Sequence, residues 1–159
     1  MPNLTIFKLI GPLQASDLHN KQRMGCKMEF CEKNNCAECC FEPKVPLLNE
    51  DINRIRMHGF YDAYFVDEQN GIKTVRKNDD GLCVFYNKRE GFCEIYYSRP
   101  ERCRLNPYCI CEDNLEPHVD EACKHHISCR DDPEMQQRMS EYLATLQKEI
   151  DWRRRTGYY

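Results

Sequence analysis

At 159 residues, 31% of them charged and with a mean hydropathy of −0.79, the chain has the length of one domain and a modest apolar core. A net charge of −3 and a pI near 6.0 exclude a nucleic-acid binder that works by neutralising many phosphates. Twelve cysteines approach the share that marks a cysteine-built scaffold, so apolar burial is not all that holds this fold.

The apolar run over residues 4–13 is interrupted by Lys8, Gly11 and Pro12. It is too short to span a bilayer, and no basic segment precedes it as in a signal peptide. The expectation is a cytoplasmic protein without a membrane span, where reduced thiols point to metal or catalysis; a secreted disulfide scaffold is the alternative. Residues 26–40 carry five cysteines, Cys26, Cys31, Cys36, Cys39 and Cys40, among Lys, Glu and Asn. They lack the hydrophobic periodicity of a helix or strand and read as a ligand loop with at most one helical turn.

After Pro46, Leu48, Ile52 and Ile55 fall on one helical face, with Asn49 as candidate N-cap, acids in the first turn and Gly59 as the stop. Short aromatic and β-branched runs follow at 63–66, 72–75, 82–86 and 92–97. The turn residues between them, at 69–71, 78–81 and 87–91, predict a small antiparallel β-meander. Ser98-Arg99-Pro100-Glu101 has the pattern of a capping box opening a short helix with Cys103, closed by Asn106-Pro107. Residues 108–131 return to cysteine-rich loop. From Asp132-Pro133-Glu134 a long helix is predicted to about residue 153, its stripe of Met135, Met139, Tyr142, Leu143, Leu146 and Ile150 facing the core. The Trp152-Arg153-Arg154-Arg155 end reads as basic residues in a last helical turn or as a partner contact.

Metal chemistry needs several thiolates pointing inward together, and Cys36-x-x-Cys39 lets one tight turn present two sulfurs, with Cys40 adjacent. A closed zinc site commonly uses two such pairs, whereas this chain has one, its other close pair being Cys109-x-Cys111. A cluster is wider than an ion and accepts scattered ligands, so the spacing leans to iron and sulfide, with zinc the alternative. Cys109, Cys111, Cys123 and Cys129 form a candidate second metal site; buried, inert thiols are the bland reading of the same residues. His118, His125 and His126 read as surface groups or supports behind the ligands. Arg99, Arg102 and Arg104 flank Cys103 and are candidate cofactor-binding residues, because cations there would stabilise an anionic cluster. No glycine-rich phosphate loop, nucleotide fingerprint, H-E-x-x-H motif or nucleophile elbow is present, which leaves catalysis by side chains alone without support.

Five motifs in order carry a family resemblance: Phe30-Cys31 with Cys36, Cys39 and Cys40; Pro46-Leu47-Leu48 with Asp51-Ile52, Arg54 and Ile55; Gly81-Leu82-Cys83-Val84-Phe85; Gly91-Phe92-Cys93-Glu94-Ile95-Tyr96; and Arg99-Pro100, Cys103-Arg104 and Pro107. Over about residues 28–107 the chain resembles the YkgJ-like cysteine-cluster family, also described as a zinc- or iron-chelating domain. The resemblance implies metal or iron-sulfur binding by Cys31, Cys36, Cys39, Cys40, Cys83, Cys93 and Cys103. A similar module occurs in flagellin lysine methylases, where an iron-sulfur cluster is implicated. Cys26 and the cysteines after Pro107 lie outside the motifs that carry the resemblance.

The expectation is therefore one α+β cysteine-cluster domain over 1–159: a small antiparallel meander flanked by helices, its cysteine loops organised around metal. The expected cofactor is one or two iron-sulfur clusters of the 4Fe-4S type, and the expected role is electron transfer with a protein partner or support of a cluster-dependent modification. A zinc-stabilised interaction module and a component of a lysine-methylase-like system are the rival readings.

Overall fold

The computed structural model describes residues 40–41, 44–110, 116–121 and 131–158. Helices and small antiparallel sheets alternate, an α+β architecture. In chain order they are α1 (Asn49–Arg56), α2 (Asp62–Phe65), β1 (Val66–Gln69), β2 (Ile72–Val75), β3 (Tyr86–Asn87), β4 (Phe92–Cys93), a 3-10 turn (Tyr96–Ser98), α3 (Glu101–Arg104), β5 (Tyr108–Ile110), β6 (Pro117–Val119) and α4 (Pro133–Thr156). The antiparallel pairing expected of a meander is divided among three two-stranded sheets, β1-β2, β3-β4 and β5-β6.

Local chemistry explains most boundaries. In α1 the cap is not Asn49, which lies inside the helix, but Leu48, whose N–H donates to Asp51 Oδ2 at 3.0 Å. The first hairpin closes through Asn70-Gly71, both at positive φ (54° and 78°), the backbone that a two-residue turn matched to strand twist requires. The second is closed by Asn87, whose side-chain oxygen accepts from the N–H groups of Arg89 and Glu90, both at 3.1 Å. Helix α4 begins where Asp132 Oδ1 accepts from Glu134 N–H at 2.9 Å and ends at Gly157 in the left-handed region.

Three predicted strands are shorter than expected: of 82–86 only Tyr86 lies in a strand, and the neighbours of the other two explain their length. Residues 63–65 form a helical turn, not a strand. Arg56 binds Asp62 through Nε and Nη2, at 2.7 and 2.6 Å, and the turn delivers Phe65 inward against Phe85, ring centroids 5.7 Å apart. The run 92–97 keeps only Phe92 and Cys93 as strand; Glu94 N–H then donates to the Phe85 carbonyl at 2.9 Å and the chain tightens into the 3-10 turn. Conversely, part of the predicted 108–131 loop is the β5-β6 hairpin, with Tyr108 opposite Val119 and Cys109 opposite His118.

The core has two lobes. One joins Val45, Leu47, Ile52, Ile55, Phe65, Val75, Phe85 and Ile95 to Cys40 and Cys83, with Cys93 and Cys103 packed against it. The other joins the α4 stripe, Met135, Met139, Tyr142, Leu146 and Ile150, to Leu48, Leu105 and Tyr108, with Leu143 partly buried beside it. The C-terminal stripe is thus core, as its spacing predicts. Arg153 lies in the last turn of α4, as the arginine run predicts, and is buried there. It is 1% exposed and donates to Gly71 O at 3.1 Å, Asn49 Oδ1 at 2.7 Å and Glu149 Oε2 at 2.7 Å, fastening α4 to α1 and the first hairpin. Among the described residues no helix is long and apolar enough to cross a membrane.

Candidate metal site

Four cysteines far apart in sequence line one cavity. Cys40, Cys83, Cys93 and Cys103 share its wall with Val45, Val75, Phe85, Ile95, Tyr96, Arg99 and Pro100. Each sulfur is delivered by a different device. Cys40 lies in the stretch leading to the edge of β2, and its carbonyl accepts from Cys83 N–H at 3.2 Å and from Lys77 Nζ at 3.3 Å. Cys83 is further pinned by an antiparallel bridge to Lys77. Cys93 sits on β4 opposite Tyr86, and Cys103 on the single turn of α3.

Cys40 and Cys83 are buried and Cys93 and Cys103 half-buried, so the wall is apolar with sulfur as its main donor atom. That chemistry fits a soft metal or a sulfide-containing cluster and disfavours hard cations, which need oxygen ligands. Among the described residues, no three Cys, His, Asp or Glu side chains stand close enough to close on a single ion.

Cationic groups stand at this wall. Arg99 lines the cavity with its guanidinium 4.4 Å from the centroid of the Tyr96 ring. Its two sequence companions are placed differently. Arg104 does not line the cavity; it donates to the carbonyls of Arg99 at 3.1 Å and Tyr97 at 2.9 Å, and burial, together with Arg54 nearby, lowers its pKa. Arg102 is 2% exposed and is not among the residues that line the cavity. The capping box expected at Ser98 is also absent: Ser98 Oγ pairs with His58 Nε2, and the N-cap of α3 is Pro100, without a side-chain cap of its own.

Cys109 lies on β5, buried, with its thiol toward the Pro107 carbonyl at 3.8 Å; it is not part of the cavity wall. Cys26, Cys31, Cys36, Cys39, Cys111, Cys123 and Cys129, with His125 and His126, fall outside the described residues. His118 is exposed on β6 across from Cys109. Tyr96 and Lys77 are part of the site's surroundings that the spacing of cysteines does not disclose. Asp51 is another, signalled in the sequence by its place in the second family motif and as an acid in the first turn of α1.

These features define a cysteine-lined metal-binding domain. Residues 30–130 match the CxxCxxCC family, described as "Putative zinc- or iron-chelating domain", and the chain belongs to that family. The match runs past Pro107, so Cys109, Cys111, Cys123 and Cys129 lie within the family's span, beyond the 28–107 limit of the motifs; Cys26 precedes it. No curated protein and no solved structure matches the chain.

Proposed function

We infer that the protein holds an iron-sulfur cluster of the 4Fe-4S type in the cysteine-lined cavity and passes electrons to or from a protein partner. The observation that carries this reading is that Cys40, Cys83, Cys93 and Cys103, from four separate segments, line one apolar wall. Thiolates delivered from scattered segments suit a cluster, which is wider than one ion. Cys31, Cys36 and Cys39, which resemble family ligand positions, complete the donor set of the reading. The bound cluster supplies a one-electron redox centre. The chain's own residues tune it: apolar Val45, Val75, Phe85 and Ile95 exclude water, and Arg99 offsets negative charge.

Cys109, Cys111, Cys123 and Cys129 are proposed as a second centre. With a net charge of −3 before any cluster is added, a basic partner surface is the natural docking face, and association weakens as salt rises. Zinc-stabilised interaction is the second reading, favoured by the family description, which allows either metal.

Anaerobic purification followed by iron, zinc and acid-labile sulfide assay decides between them. Near-equal iron and sulfide supports the cluster, and zinc without sulfide overturns it. The double substitution Cys123→Ser with Cys129→Ser removes about half of the iron if there are two four-iron centres. Unchanged iron in that variant makes those cysteines structural and leaves one centre.

A further inference from the structure

The cavity wall that carries Cys103 is not held by its own helix. Helix α3 is a single turn, and the residues before it, 98–100, belong to no regular sheet. What fixes them is a pair of residues on α1. Asp51, 1% exposed, accepts at Oδ1 from Glu101 N–H at 2.9 Å, while its Oδ2 accepts from Leu48 N–H at 3.0 Å. Arg54 pairs with Asp51 and donates from Nε to Ser98 O at 3.3 Å and from Nη2 to Arg99 O at 3.1 Å. One carboxylate and one guanidinium thus hold three backbone sites, the carbonyls of Ser98 and Arg99 and the N–H of Glu101, on either side of Pro100. Three residues of this segment, Arg99, Pro100 and Cys103, line the thiol cavity.

We propose that Asp51 and Arg54 are positioning residues for the metal site, a buried latch that holds segment 98–104 so that Cys103 and Arg99 stand at the cavity wall. The assignment to a metal site rests on the proposed function; the latch itself rests on the hydrogen bonds. The chemistry is specific to these side chains. A carboxylate offers two acceptor oxygens where an amide offers one, so Asp51→Asn leaves Leu48 N–H or Glu101 N–H without its acceptor. A lysine ammonium at position 54 lacks the planar fork that reaches Asp51, Ser98 O and Arg99 O together.

The test uses the full-length protein as purified, with iodoacetamide labelling followed residue by residue in mass spectra. Asp51→Asn and Arg54→Lys are each expected to raise the labelling rate of Cys103 by about tenfold through easier local opening, while Cys83, held by Cys40 and Lys77 and not by the latch, changes little. Leu146→Ala, a core deletion in the other lobe, serves as the control for general destabilisation and is expected to leave the Cys103-to-Cys83 ratio near the wild-type value. An unchanged Cys103 rate in both latch variants overturns the proposal, as does equal acceleration of Cys83 and Cys103. If Asp51→Asn does not fold, Arg54→Lys decides. Metal content of the wild type is measured alongside: a metal-free wild type sinks the metal reading, whereas the labelling contrast decides the latch in either case.

Discussion

Individual cysteines divide by where the fold puts them. Cys40, Cys83, Cys93 and Cys103 line one cavity, while Cys109 sits on the β5-β6 hairpin away from it. Serine substitution at any of those four is therefore expected to lower bound metal per protein, because a hydroxyl is a poor replacement for a soft thiolate. Cys26→Ser, before the family span, is expected to leave the metal nearly intact. Metal analysis of the purified variants checks this ranking, and equal loss at Cys26 refutes it. Arg99 and Asp51 belong to the same scale: the first faces the cavity, and the second, buried on α1, reaches the backbone beside it.

Among the elements, α4 depends on a polar clamp as well as on its apolar stripe. Glu149 accepts from Asn49 N–H at 2.9 Å and from Arg153, so the long helix is joined to the start of α1. Burial raises the Glu149 pKa above its ordinary value of 4.5; the Asn49 N–H and Arg153 pull the other way and do not cancel it. With the folded pKa above the unfolded one, this carboxyl adds stability as pH falls through the folded value toward 4.5, and that contribution is lost as pH rises. Glutamine cannot titrate. The difference in melting temperature, wild type minus Glu149→Gln, is accordingly expected to grow in favour of the wild type on going from neutral pH toward 4.5. Scanning calorimetry of both proteins across that range measures it, and a gap that is flat or shrinks on acidification contradicts it.

Across the molecule as a whole, the described core has two apolar lobes, and one of them includes the thiols of Cys40 and Cys83, with Cys93 and Cys103 packed against it. Its cohesion should depend on what the sulfurs bind. Metal binding can supply folding free energy directly, and it is lost when the ligands are protonated or stripped. Removal of metal by a strong chelator is expected to abolish cooperative unfolding, read as a broad, non-sigmoidal far-UV melt, while readdition restores the transition. A sharp, unchanged melt of the metal-free protein would show that burial alone suffices.

Local and periodic features were readable from the sequence alone. The α4 stripe, its Asp132 start and the Asn70-Gly71 turn follow from helical spacing, side-chain capping and the need for positive φ, all properties of neighbouring residues. The family motifs likewise included Cys40, Cys83, Cys93 and Cys103 among the seven cysteines they marked. Tertiary structure decided what depends on distant partners: that residues 63–65 coil to send Phe65 onto Phe85, that Arg99 lines the cavity while Cys109 lies off it, and that Arg153 is buried against Gly71 and Asn49. It also replaced two expected caps. Asn49 gives way to Leu48 as the N-cap of α1, and its side chain instead accepts from Arg153; Ser98 turns to His58 while Asp51 takes the N–H of Glu101. The physical reason is the same throughout. A buried donor or acceptor must find a partner, and the nearest partner in space is often far away in sequence.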